Sequence, residues 1–298
     1  MKRSVLAAMV VLATFALVPA AWAAGYARPE LVVSTEELAA LVGKPDVKIV
    51  DARGGDDYAA GHIPGAVSLP HKQTQAVDRG VSDVVAPVEK LEAVLGARGI
   101  APTDTVVVYD DMVGEPVARV FWTLELLGHA RVKVLNGGMR KWATEQRPVT
   151  KEPAAVTPVK YPAKPDWTRI ADAAYVLTVI GKPGVAIVDT RSAREWSGEV
   201  ASRAVKRAGR IPGAGNVDWE ANLASVDGVK VLKPASELAA VYAAAGATPD
   251  KDVVVYCRTG MRSSHSYLAL RLLGYPKVRN YSNSMIEWGN RAELPIEK

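Results

Sequence analysis

Residues 256–274 of this 298-residue chain read YCRTGMRSSHSYLALRLLG, and Cys257 is its only cysteine. A thiol with no partner is either an inert core group or a reactive nucleophile. Its neighbours favour the nucleophile. Arg258 and Arg262 flank it, Thr259, Gly260 and Met261 fill the turn between them, and a helical pattern follows at once. The N–H groups of such a loop, with the free N–H groups of a helix start, form an anion-binding nest. Gly260 allows the positive φ that a close turn needs. A thiolate placed there is stabilised by the helix end and by both arginines.

Two chemistries use a cysteine in an anion cradle. Cysteine phosphatases carry C-x5-R, in which the arginine clamps a phosphoryl group with two hydrogen bonds. Here Ser263 occupies that place and Arg262 makes C-x4-R. The loop, one residue shorter, suits a persulfide whose outer sulfur carries the charge held by the N–H groups. The histidines His62, His71, His129 and His265 form no spaced ligand set, so no metal is expected. His265 lies eight residues beyond Cys257, about two helical turns away, which argues against a Cys-His protease dyad.

The elements that must position this loop can be read from the chain. Short β-branched runs at 48–51, 106–109, 186–189 and 253–256 alternate with helical patterns at 34–41, 87–98, 117–127, 234–245 and 263–273. Fully apolar strands separated by helices imply parallel sheets covered by helices on both faces, an α/β fold. In such sheets the ligand sits at the carboxyl ends of the strands, where Cys257 falls.

The same order of features occurs twice. VKIVDARGGDDYAAGHIPGAVSLP from Val47 corresponds to VAIVDTRSAREWSGEVASRAVKRAGRIPGAGNVDW from Val185, and VVVYDDMVGEP corresponds to VVVYCRTGMRS. Asp51 and Asp189 are 138 residues apart, Gly65 and Gly213 are 148, Asp110 and Cys257 are 147, and Trp142 and Trp288 are 146. One domain was duplicated, and the second copy gained ten residues between its D-x-R and I-P-G stretches. The boundaries expected are 31–148 for the first domain, a proline-punctuated linker at 149–165, and 166–298 for the second.

Lys2 and Arg3, an apolar run from Val5 to Val18, and Ala21 and Ala23 around Trp22 make residues 1–23 a cleavable signal peptide. The expected location is the periplasm or outside the cell, with no membrane segment in the mature form. A formal net charge of +5 suits small anions by steering, and is too diffuse for nucleic acid.

The duplicated D-x-R and I-P-G-A stretches, VLNGGMRKW at 134–142 and the loop CRTGMR together resemble the two-domain rhodanese (thiosulfate sulfurtransferase) family, over nearly all of the mature chain. The resemblance implies two tandem rhodanese-like domains, the first cysteine-less and inactive, the second catalytic. It also implies ping-pong transfer: the thiolate of Cys257 takes the outer sulfur of thiosulfate, sulfite leaves, and the persulfide passes its sulfur to cyanide, a thiol or a thioredoxin-like acceptor. No cofactor is needed. Arg258 and Arg262 match the family's variable basic positions, with Thr259, Gly260 and Met261 completing the substrate-binding loop. The basic loop favours thiosulfate over mercaptopyruvate, and the ending on Met261 and Arg262 departs from the family's C-R-x-G-V-T. A non-catalytic sulfur or selenium carrier, or an oxyanion-binding protein, is the other reading of a single thiol.

Asp189 and Arg191 recur as Asp51 and Arg53, which reads as a structural ion pair, with Arg191 also a candidate to face the anion. Glu195 and Trp196 recur as Asp57 and Tyr58 and read as scaffold. Arg203, Lys206, Arg207 and Arg210 of the insertion read as a solvated face or a basic rim to the cleft.

Overall fold

The structure is a computed structural model that describes residues 25–78 and 81–298. The signal peptide expected at 1–23 lies outside the described residues. The first half contains β1 (Val32–Val33), α1 (Thr35–Ala39), β2 (Val47–Asp51), α2 (Gly55–Ala60) and β3 (Val67–Ser68). It continues with a hairpin of β4 (Gln75–Asp78) and β5 (Val81–Val85), then α3 (Val88–Gly96), β6 (Thr105–Tyr109), α4 (Glu115–Leu126), β7 (Val132–Leu135) and α5 (Gly138–Thr144). The second half repeats this as β8 (Ile170–Ala171), α6 (Ala173–Val179), β9 (Val185–Asp189), α7 (Ala193–Trp196) and β10 (Gly215–Asn216). After it come β11 (Leu223–Val226), β12 (Val229–Leu232), α8 (Ala235–Ala244), β13 (Asp252–Tyr256), α9 (Met261–Leu272), β14 (Val278–Tyr281) and α10 (Ser284–Trp288).

Each half is a five-stranded parallel sheet, in the orders β1-β7-β6-β2-β3 and β8-β14-β13-β9-β10. Equivalent strands hold equivalent places, so the repeat in sequence is a repeat in topology. The antiparallel hairpins β4-β5 and β11-β12 carry no strong alternation and were not anticipated from sequence.

Side chains alternate across the central strands because successive residues of a strand face opposite sides. In β6, Val106 and Val108 enter a core that also contains α3 and α4, while Val107 and Tyr109 enter a separate core under α1 and α5. In β13, Val253 and Val255 face α8 and α9, and Val254 and Tyr256 face α6 and α10. Helices therefore cover both faces of both sheets. The two inner cores are one: Phe121 and Trp122 of α4 and Tyr267 and Leu268 of α9 belong to a single buried cluster spanning both halves. α4 and α9 are the equivalent helices of the repeat, and each begins at the loop that follows the middle strand of its sheet.

Residues 149–165 form no helix or strand beyond a single antiparallel bridge of Thr150 with His62, and lie against the first half. Val159 N–H donates to Gly96 O, Lys164 N–H donates to Leu127 O, and the Tyr161 hydroxyl meets His129 Nδ1 at 2.9 Å. A Cβ at Gly96 would stand 2.3 Å from the Val159 carbonyl oxygen. Gly96→Ala is therefore expected to lower stability by about 1–3 kcal/mol, read as a lower urea midpoint, because the linker backbone must move aside.

Candidate active site

Cys257 follows β13 directly and is 1% exposed. Its N–H donates to Ser284 Oγ at 3.0 Å, and its carbonyl accepts from Met285 N–H at 3.1 Å. Ser284 adopts φ +49° to do this, an uncommon conformation for a non-glycine residue. The loop then curls back on the sulfur: Gly260 N–H donates to Sγ at 3.2 Å, and Ser263 Oγ lies 3.7 Å from it. Gly260 is left-handed, with φ +80°, and is the N-cap of α9. Helix α9 thus begins at Met261, two residues earlier than the sequence pattern suggests, and its first N–H groups have no partner within the helix. Thr259 is buried within the turn, while Met261 accepts a hydrogen bond at Sδ from Gln75 of the first half.

The two arginines of the loop are not equivalent. Arg262 forms a two-pronged pair with Glu195, Nη1 to Oε2 at 2.7 Å and Nη2 to Oε1 at 3.2 Å. Glu195 also accepts from Ser202 Oγ in the inserted segment, and it caps α7 through Ser192. Burial alone would raise the Glu195 carboxyl, but the hydrogen bonds from Arg262 and Ser202 hold it at about 2. Burial likewise opposes the charge on Arg262, and Glu195 and then Cys257 restore it, so that the group is held above its ordinary value. Arg258 is half-buried, with no side-chain hydrogen bond or ion pair among the described residues. A cleft of about 630 Å³ lies over the first half's own loop, walled by Asp110, Asp111, Met112 and Glu115, with Trp219 of the second half at its side; Cys257, Arg258 and Arg262 do not line it. Glu115 is the first-half carboxyl that Arg262 and Arg258 act upon electrostatically.

Because Glu195 is depressed in the folded state, its contribution to stability is complete above the ordinary carboxyl value of 4.5 and lost as pH falls towards about 2. The stability gap between the wild type and Glu195→Gln, measured by urea unfolding at about pH 6 and about pH 3, is expected to shrink on acidification.

The first half shows what the same loop does without a thiol. Asp110 occupies the place of Cys257, and its carboxylate accepts from the N–H groups of Met112 at 3.1 Å, Gly114 at 2.9 Å and Val117 at 3.3 Å. A side-chain anion fills the nest. Burial raises this carboxyl to about 6, against the lowering effect of those N–H groups. The cradle of the first half is thus already occupied from within.

A sequence model of the "Rhodanese-like domain" matches residues 34–145 and again 172–291. The chain belongs to the rhodanese family. A thiosulfate sulfurtransferase of Azotobacter vinelandii is 37% identical over 274 residues, covering 91% of this chain and 98% of the relative. The sulfur carrier protein TtuD of Thermus thermophilus is 38% identical over 288 residues, covering 92% and 99%. Among solved structures, the anaerobic ergothioneine biosynthesis enzyme of Chlorobium limicola aligns with TM-score 0.80 at 24% identity, over 92% of this chain and 71% of that one, a likeness of fold.

Within the rhodanese fold, the D-x-R pairs are structural. Arg191 is 1% exposed and gives Nε and Nη2 to Asp189, Nη2 also to Gly209 O at 2.8 Å, and Nη1 to Ser202 Oγ at 3.2 Å. Its guanidinium lies over the Tyr256 ring, and Arg53 repeats the arrangement with Asp51, Gly61 O and Tyr109. Arg191 therefore sits as a buried brace of the kind the repeat of the D-x-R pair suggests, its donors used by Asp189 and the inserted segment. The insertion is neither a solvated face nor a basic rim throughout. Arg207 donates to the carbonyls of Trp288, Gly289, Arg291 and Leu294, and Arg210 pairs with Glu297 over the Trp196 ring. These two arginines tie the insertion to the C-terminal segment.

Glu195, read from sequence as scaffold, instead touches the loop through Arg262; its Asp57 counterpart in the first half concealed this. His265 is buried and is pushed down to about 4 by that burial, so it is neutral. It donates from Nε2 to Val113 O and accepts at Nδ1 from Asn222, a bridge between the halves. Ser282 and Ser284 both reach the loop's surroundings: Ser284 through Cys257 N–H, and Ser282 through a residue of the other half, Arg119.

Proposed function

We propose that the protein is a sulfurtransferase that moves the outer sulfur of thiosulfate to a thiophilic acceptor, cyanide or a thiol, by way of a persulfide on Cys257. The observation that carries this is the six-residue loop closed on a single sulfur, with the Gly260 N–H directed at Sγ and the equivalent nest in the first half holding a carboxylate. A cradle of this kind matches an anionic sulfur. In the first step the Cys257 thiolate attacks the outer sulfur; a new S–S bond forms, and the S–S bond of thiosulfate breaks with its electron pair leaving on sulfite. In the second step the acceptor attacks the terminal sulfur, and the electron pair of that bond returns to Cys257 as thiolate. Arg258, which forms no side-chain hydrogen bond or ion pair among the described residues, is the loop cation that draws the dianion inward, while Arg262 supports the loop through Glu195.

The naming of relatives as thiosulfate sulfurtransferases supports this donor. The leader-like sequence at 1–23 supports action outside the cytoplasm, with a small thiol or a thioredoxin-like protein as acceptor. A carrier role is the second reading, favoured by the likeness to the sulfur carrier TtuD. Intact-mass spectrometry separates the two. One added sulfur on Cys257 after thiosulfate, discharged as thiocyanate over many turnovers by cyanide, is the expected result. An adduct that no acceptor discharges repeatedly would establish the carrier, and no adduct would overturn both. Faster loading from mercaptopyruvate than from thiosulfate at equal concentration would correct the donor.

A further inference from the structure

Helix α4 of the cysteine-less half carries one charged residue into the core shared by the two halves. Arg119 is 0% exposed, and its guanidinium lies 4.8 Å from the Trp122 ring centroid. Nη2 donates to the main-chain carbonyl of Asp83 at 2.9 Å, and Asp83 takes φ +62° where it does so. Nη1 reaches Gly260 O and Ser282 Oγ, each at a long 3.4 Å. Nε is buried without a hydrogen-bond partner. Among the described residues no carboxylate forms an ion pair with it. The contrast is with Arg191, equally buried, which has a two-pronged carboxylate and two further acceptors. An unpaired buried charge is costly, and proteins ordinarily pair it or remove it.

The chain's own geometry indicates what the charge faces. Gly260 is the residue whose N–H touches the Cys257 sulfur, and its carbonyl is held by Ser264 Oγ at 2.7 Å, Asn280 Nδ2 at 3.1 Å and Arg119. The C=O and N–H of a trans peptide point in opposite directions, so fixing this carbonyl also fixes the direction of the Met261 N–H at the start of α9. A Cβ on Gly260 would lie 2.9 Å from Arg119 Nη1, so the arginine lies directly against the loop. Burial pulls the guanidinium down to about 10, and the groups that oppose this are Cys257 first and Asp83 second.

We propose that Arg119 is a positioning residue for sulfur transfer, supplied by the half that has no thiol: its unpaired buried charge holds the Gly260 end of the loop and offsets the negative charge that Cys257 carries. The inference rests on the sulfur-transfer reading and deepens it, because it makes the active site a product of both copies. It also accounts for a buried guanidinium without a carboxylate: its counter-charge is the anion carried on the Cys257 sulfur.

The test uses Arg119→Gln and Arg119→Met, which remove the charge, and Arg119→Lys, which keeps it. Cys257 is the only thiol, so its reaction with iodoacetamide at neutral pH reads the nucleophile without requiring turnover. The neutral variants are expected to be alkylated at least about tenfold more slowly and to lose at least about tenfold in kcat from thiosulfate to cyanide, with KM changed less than about threefold. The lysine variant should recover both rates to within about threefold of wild type. Folding of each variant is checked by its thermal melt. A folded neutral variant alkylated at the wild-type rate would overturn the proposal. So would a folded lysine variant as slow as about a tenth of wild type, whatever the neutral variants do. Failure of the underlying function has a different signature, turnover that survives loss of Cys257, and leaves the alkylation comparison valid.

Discussion

Cys257→Ser is expected to reduce sulfur transfer from thiosulfate to cyanide by at least about 10³-fold while leaving the thermal midpoint within a few degrees of wild type. The two halves of that expectation have separate causes. Serine fits the buried site, keeps the backbone bonds to Ser284 and Met285, and offers an oxygen to the Gly260 N–H in place of sulfur. It does not ionise near neutral pH and cannot hold a transferable sulfur as a persulfide. Steady-state thiocyanate formation and a melting curve measure the two effects. A folded Cys257→Ser protein that still turns over would show that the sulfur does not pass through this residue.

The second large effect is expected at Gly260. Its φ of +80° excludes most side chains, and a Cβ there would lie 2.6 Å from Ser282 O and 2.8 Å from Ser282 Cα, both backbone atoms that cannot move cheaply. Left-handed strain of about 1–2 kcal/mol and overlap of about 1–3 kcal/mol give Gly260→Ala a loss of a few kcal/mol in urea unfolding. Any relief moves the N–H that contacts Sγ, and a displacement of about 1 Å at a reacting group costs on the order of 10² in kcat. Gly213→Ala is the control. Its φ is +73°, yet nothing lies within 4 Å of its Cβ position, so it should show the conformational cost alone, with activity kept. Equal losses of activity at both glycines would refute the geometric reading of the loop.

Much of the fold was legible because it was written twice. The strands at β2, β6, β9 and β13 are runs rich in β-branched residues and largely buried on both faces, and the fixed offset between Asp110 and Cys257 located the equivalent loops without any tertiary information. The hairpins were not legible: Gln75, Ala76, Val77 and Asp78 do not alternate cleanly, and Val77 is largely exposed. Comparison of the repeats also misled at Glu195. Its counterpart Asp57 lies on an exposed helix, and only the fold brings Arg262 within reach of Glu195, across 67 residues of sequence. Arg119 did carry a signal, the single basic residue in the largely apolar helix VARVFWTLELL, where the second copy has Ser266. What it faces depends on how α4 packs on α9, which pattern within one helix does not contain.

The buried cluster that spans α3, α4, α8 and α9 belongs to neither half alone. Unfolding one copy would strip the inner face of the other, so the copies are expected to unfold in a single cooperative transition rather than two independent ones. The half without a thiol thus sets the lifetime of the half that has one. The first loop holds a carboxylate where the second holds a thiol, but the common core ties the two copies together.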